Sequence, residues 1–242
     1  VSKGGFGGGL GILATPLFLL VLPSNKALSM LLPVLIVCDI FTLRQFPKSW
    51  DPASFKLIAG GTSDGLIIGL TLLVFFARTD VNGEHLIRIS VGVISIFFCL
   101  LQCIKFLIKK NILEIKMGTI ASFFTGILCG ITTMVAHAAG LIVNMFLLSR
   151  KLDPSRFVGT SARYYLLFNT VKIPLYIIAT FFAQKPYLTL DTLRWSLWLL
   201  PLCPIGVAAG AWMNRRLSGT IFTFIIYTFL FITAAKMIYE SI

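Results

Sequence analysis

The sequence predicts an all-α, polytopic membrane protein built of two inverted repeats. Each repeat holds one re-entrant or broken helix plus three transmembrane helices. Three observations carry the prediction. The 242 residues are 57% apolar and only 12% charged, with a mean hydropathy of +0.92, whereas soluble domains carry about a quarter of their residues charged. Several apolar runs are 17–22 residues long, enough to cross a hydrocarbon core of about 30 Å. A pattern of glycine-containing run, polar turn and long helix also occurs twice in the chain.

Eight apolar segments follow in order. Segment A is the glycine-rich opening through Leu22, B is Ala27–Leu43, C is Leu57–Ala77 and D is Ile89–Ile108. Segment E is Met117–Ser149, F is Ala162–Ala183, G is Trp195–Met213 and H is Thr220–Ile238. The connections are short and leave no room for a separate soluble domain. PSNKALSML follows A and DPSRFVGTS follows E; each opens a long helix with a polar residue in its middle, Asp39 in B and Asn169 in F. Gly61, Gly65 and Gly69 in C match Gly206 and Gly210 in G at the same four-residue step. Residues 1–110 and 111–242 therefore read as the two repeats, with the first arm of the first repeat's re-entrant element expected to be missing.

Segment E decides the topology. As one straight helix its 33 residues would run about 50 Å, too long for the membrane core. Gly126, Gly130, His137 and Gly140 interrupt it, and a hairpin with its tip near Ala136–Gly140 fits. If E returns to its own side, one face collects Arg44, Lys48, Lys56, Lys105, Lys109, Lys110, Lys116, Arg150, Lys151, Arg156, Arg163, Arg215 and Arg216, thirteen in all. The other face has six: Lys26, Arg78, Arg88, Lys185, Arg194 and Lys236. If E crosses, the bias vanishes, so the positive-inside rule selects the hairpin and makes the richer face cytoplasmic. Three crossings and one hairpin per half invert the second half. Both tips then fall near mid-membrane, an arrangement found in secondary transporters.

The candidate site residues cluster at these tips. The opening, VSKGGFGGGL, lets the amides of Gly5, Gly7, Gly8 and Gly9 approach a ligand beside Lys3, with no Asp or Glu from Val1 to Pro23. Unwound backbone is tolerated at membrane depth only where protein or a cavity satisfies it, and the half-helix that follows points its positive pole at that tip. The second tip offers Thr133, His137, Gly140 and Asn144, and it too lacks an acidic residue from Met117 to Ser149. Two acid-free tips disfavour a cation as ligand. Asn169, Lys172 and Asp39 are polar groups inside crossing helices, where a charge costs about 2.5–3.5 kcal/mol at the centre and must face inward and pair; Asp39 with Lys172 is the expected pair, Asn169 and Lys172 are expected to line the path, and Asp39 to serve as polar partner or proton carrier. Asp64, among the glycines of C, is either a proton or polar partner or a helix-entry residue. The glycines of C and G are expected to close helix contacts, as small residues do in membranes.

The net charge of +12 lies in loops, where it orients the chain and argues against nucleic acid as a partner. Cys38, Cys99, Cys103, Cys129 and Cys203 lie in apolar runs with no CxxC spacing, as buried fillers do. HExxH, GxSxG and P-loop patterns do not occur, so no enzyme is expected, and no cofactor or metal.

SKGGFGGGLGILATPL, then LPSNKALSMLLPVLIVCDIF and a basic loop ending in WD, resembles the first half of the sulfite exporter TauE/SafE family of membrane permeases. GLIVNMFLLSRKLDPSRFVGTSA, FNTVKIP and PLCPIGVAAGAWMNRRLS resemble its second half. The second glycine cluster departs from the pattern, being reduced to HAAG, and His137 is expected to stand in for it. The resemblance implies a permease of a bacterial-type inner membrane for a small sulfur-containing anion such as sulfite or a sulfonate, with lipid and that anion as partners and a homodimer allowed. It leaves the identity of the anion open. An outward-moving permease using alternating access at a midplane site is expected. An anion-selective channel and a non-transporting membrane scaffold or accessory subunit are the alternatives.

Overall fold

The computed structural model describes residues 11–45, 48–79, 83–108, 117–183, 186–201, 203 and 219–241. The described residues form nine helices and no strand: α1 (Gly11–Leu19), α2 (Ser24–Gln45), α3 (Pro52–Arg78), α4 (Gly83–Ile108), α5 (Thr119–Ala136), α6 (Gly140–Ser149), α7 (Pro154–Phe182), α8 (Leu190–Leu199) and α9 (Gly219–Tyr239). Among them, α2, α3, α4, α5 and α7 are long and apolar enough to cross a membrane. Their outer faces carry exposed Phe75, Phe97, Ile120, Phe124 and Phe181, a surface suited to lipid rather than water. The chain is a polytopic helical membrane protein.

Helix starts follow local cap chemistry. Asp51 and Asp153 each cap a helix whose first residue is proline, accepting from the amides of Ser54 at 3.0 Å and Arg156 at 3.1 Å. Proline is at home there because its missing N–H would have no helical partner anyway. These caps make α3 and α7 start five and eight residues before the apolar runs of C and F. A reciprocal Thr189–Thr192 capping box opens α8 at Leu190, ahead of the predicted start at Trp195. The end of segment G lies outside the described residues.

The start of α2 is capped from another helix. The Ser24 amide and hydroxyl donate to the Glu84 carboxylate at 2.9 and 2.7 Å, and Arg88 holds the same carboxylate at 3.0 Å. At the opposite ends, the Asp51 amide donates to Thr160 at 2.8 Å, and Arg163 lies over the Trp50 ring. Within the core, α3 packs most extensively on α5, α4 on α9, and α2 on both α7 and α8.

Segment E is broken where the sequence predicts. Helix α5 ends at Ala136 and α6 begins at Gly140. The break turns the chain back on itself: Arg150, which follows α6, donates to the carbonyl of Met117, which precedes α5, at 3.4 Å. Arg150 also reaches the Ser54 hydroxyl at 3.3 Å, tying this end of the hairpin to the first turn of α3.

Candidate functional site

The break is built around His137. Its φ of 51° is left-handed, one of two positive values at non-glycine residues among those described. Its amide donates to the Thr133 carbonyl at 3.1 Å and that of Ala138 to Thr132 at 3.2 Å, which closes the end of α5. A bulky residue held in this region is uncommon, and such positions concentrate at ligand clamps and switches.

Lys172 of α7 holds the break from outside. Its side chain is fully buried, and among the described residues no other Lys or Arg is buried. Nζ donates to the Thr133 carbonyl at 3.2 Å, the Thr133 hydroxyl at 3.1 Å and His137 Nδ1 at 2.7 Å. Three acceptors match the three N–H bonds of an ammonium. The cation thereby sits at the C-terminal, negative pole of α5.

These contacts fix the state of His137. Its Nε2 lies 3.0 Å from the Leu28 carbonyl, which can only accept, so that nitrogen carries the ring proton. Nδ1 faces the ammonium, which can only donate, so that nitrogen is bare. The network thus assigns a neutral ring in the Nε2–H form. Leu28 lies in the α2 turn that precedes Pro33. Pro33 lacks the N–H that the Ser29 carbonyl four residues back would accept, and beside that gap the Met30 carbonyl, like that of Leu28, meets a side chain, accepting from Ser196 at 3.0 Å.

One helical turn before Lys172, Asn169 donates to the buried Asp39 carboxylate at 2.7 Å. Tyr176, one turn after, donates to the Met134 carbonyl at 3.1 Å and stands 3.5 Å from His137 Nε2. Tyr165 donates to the carbonyl of Gly140, the first residue of α6, at 3.2 Å. Tyr165, Asn169, Lys172 and Tyr176 recur at steps of four, three and four, so they line one face of α7. Among the described residues, one carboxylate, one ammonium and one neutral imidazole thus lie along a single polar track.

The structure gathers Thr133, His137 and Lys172 into direct contact, with Asn169 and Asp39 adjoining them and Gly140 tied in through Tyr165. Asn144 is buried one turn into α6. Asp64 stands apart, exposed on the outer face of α3 between the inward glycines. Lys3, Gly5, Gly7, Gly8 and Gly9 lie outside the described residues. No three His, Cys, Asp or Glu side chains come together among the described residues to hold a metal. Tyr165 and Tyr176 went unnoticed in the sequence reading. Their spacing from Asn169 and Lys172, four residues before and four after, is the signal that finds them.

The ends of α6 and α5 differ electrostatically. The carbonyl pole of α5 is met by Lys172, whereas α6 starts at Ala139 and Gly140 with no side-chain cap. A helix start of this kind favours negative charge. A family model described as Sulfite exporter TauE/SafE matches residues 1–237. No curated protein and no solved structure matches the chain.

Proposed function

The chain belongs to the sulfite exporter TauE/SafE family, and from that premise we propose that it exports a small sulfur-containing anion, sulfite, a sulfonate or a related species. As a member it is a membrane permease of the anion-exporter type. The finer reading places the anion at the tip between α5 and α6. There the amides that open α6 at Gly140, the hydroxyl of Thr133, the ring of His137 and the amide of Asn144 surround it. Lys3 and the amides of Gly5, Gly7, Gly8 and Gly9 contribute from the first repeat. Asn169 and Lys172 line the path, and Asp39 balances the charge of Lys172.

The observation that carries this reading is Lys172, a fully buried cation fastened to Thr133 and His137 at a helix break. A buried ammonium is expensive, and a protein that only needed a packed helix would place an apolar residue there. Alternating access by two inverted halves has support from the packing. Helix α2 packs on α8 as α3 packs on α7, while α2 meets α7 and α4 meets α9. Exchanging B with F, C with G and D with H carries these four contacts into one another.

The test is uptake of sulfite, thiosulfate, sulfate, sulfonates and chloride into proteoliposomes. Saturable flux of one sulfur anion is expected. Lys172→Met should lower it about tenfold or more, since contacts to a charged group are worth roughly 1.5–3 kcal/mol. Flux that never saturates would mean a channel. No flux of any anion would leave a scaffold.

A further inference from the structure

We infer that His137 exchanges a proton with each transport cycle, so that the anion moves together with one proton. The inference rests on the anion-permease reading above. It starts from the contact between His137 Nδ1 and Lys172 Nζ at 2.7 Å. One proton lies between these nitrogens. A second proton on the ring would set N–H against N–H and bring two positive charges into contact. The pair therefore carries a single positive charge as it stands, and the Asp39 carboxylate beside Asn169 offsets it.

An anion entering at the start of α6 disturbs this balance. Among the described residues the buried carboxylate and ammonium already cancel, so the anion brings negative charge that neither offsets. Among the described residues, the titratable groups around His137 include Lys172 and Tyr176 from α7, with Tyr187 packed on Tyr176, Tyr165 at Gly140 and Asp39 reached through Asn169 of α7, while Cys129 is buried farther back on α5 beside Tyr164. The phenols and the thiol are ordinarily protonated where an imidazole titrates, and Asp39 is already a hydrogen-bond acceptor. His137 is the group left to take up a proton at neutral pH.

The step balances. A proton from water on the open side bonds to Nδ1, the ring turns that N–H from Lys172 to the anion, and neutral imidazole plus one proton becomes imidazolium. On release at the other side the N–H bond breaks and the proton leaves to water with the anion. By linkage, anion and proton each favour the binding of the other. A dianion then still carries one net negative charge outward, so the membrane potential assists export.

The chain has two histidines, His85 and His137, and His85 is exposed at the start of α4. In a His85→Asn background, nitrogen-15 histidine NMR of the full chain in liposomes reads His137 alone. Without anion at mildly acidic pH the neutral Nε2–H form is expected. Saturating thiosulfate, or whichever panel anion is transported, should convert it to the doubly protonated ring. A pH dye in wild-type proteoliposomes should report one proton moving with each anion. Transport of an anion while His137 stays neutral, or while no proton moves, overturns the inference and leaves the permease standing. Absence of transport for every anion removes the permease reading, and this inference with it.

Discussion

Helix α5 is held by two seams of opposite kind. Toward α3 it is held by backbone: a Cβ on Gly61 or Gly65 would run into the carbonyls of Phe123 and Ile127, and one on Gly126 or Gly130 into those of Ile58 and Thr62. Toward α7 it is held by side chains, with Lys172 donating to Thr133 and His137 and Tyr176 to Met134. In lipid, apolar side chains gain little by leaving the solvent, so close backbone approach supplies the cohesion. The glycine seam can therefore fix where α5 sits, and the polar seam is free to set the charge at its tip. On the proposed reading, stability and anion handling fall on opposite faces of one helix.

The sharpest way to break this division is to fill the glycine seam. Gly65→Leu pushes two backbones apart, and the cost should exceed about 3 kcal/mol, beyond the usual range for an overpacked core. No folded, monodisperse protein is expected in detergent by fluorescence-detected size exclusion. Gly60→Ala is the control, because a Cβ there meets only the Phe123 ring, at 3.8 Å, and it should behave as wild type. Equal behaviour of the two variants would refute the seam.

The polar seam should respond differently. Lys172→Met leaves the Asp39 carboxylate buried without its cation, a loss of about 3 kcal/mol by the behaviour of broken buried pairs. Asp39→Asn with Lys172→Met restores neutrality and should recover more than half of that loss in thermal stability. Transport should stay abolished in the double variant, since the cation at the tip is still missing. Recovery of both stability and flux would make Lys172 structural only.

A smaller effect separates the two roles of Tyr176. Tyr176→Phe removes the hydroxyl from the Met134 carbonyl and from the neighbourhood of His137. A stability loss near 1 kcal/mol is expected for one neutral hydrogen bond, with a few-fold drop in flux. An unchanged flux would confine the polar track to Asn169, Lys172 and His137.

The seams differ also in how far the sequence foretells them. The glycine step in segment C is a local pattern, and the helical phase that turns Gly61, Gly65 and Gly69 toward α5 sends Asp64 outward, since neighbours on a helix lie about 100° apart. The break in segment E follows from its excess length and its HAAG interruption. The early starts of α3 and α7 were legible in the Asp-Pro pairs at 51–52 and 153–154 but were overlooked because hydropathy alone marks only the apolar run. The polar seam was readable only in part. Asp39, Asn169 and Lys172 read as inward-facing polar groups, but the bonds from Asn169 to Asp39 and from Lys172 to His137 have no local signature. Which partner a long side chain takes depends on how α2, α5 and α7 cross. The left-handed backbone of His137 and its bond to the Leu28 carbonyl depend on the same crossing, and no local pattern encodes it.

The smallest effect lies outside the apolar spans, at the cap of α3. The Asp51 carboxyl is held below its ordinary range, chiefly by the Ser54 side chain, against some desolvation, with the Ser54 amide and the charges of Arg150 and Arg156 adding to the effect. A depressed carboxylate stabilises the fold above its unfolded value, and the contribution disappears as pH falls through the lowered folded value. Asp51→Asn keeps a capping side chain but lacks the charge, so it should cost well under 1 kcal/mol, the usual worth of a whole cap. The difference from wild type should be present at neutral pH and vanish as pH falls through the lowered folded value, beneath the ordinary carboxylate range. Because Arg150 also ties the hairpin ends to Ser54, Asp51→Asn tests whether this end of the glycine seam is electrostatically coupled to the break. Thermal melts of both proteins across that pH range would decide it, and a difference that persists in acid would place the effect of Asp51 in its shape rather than its charge.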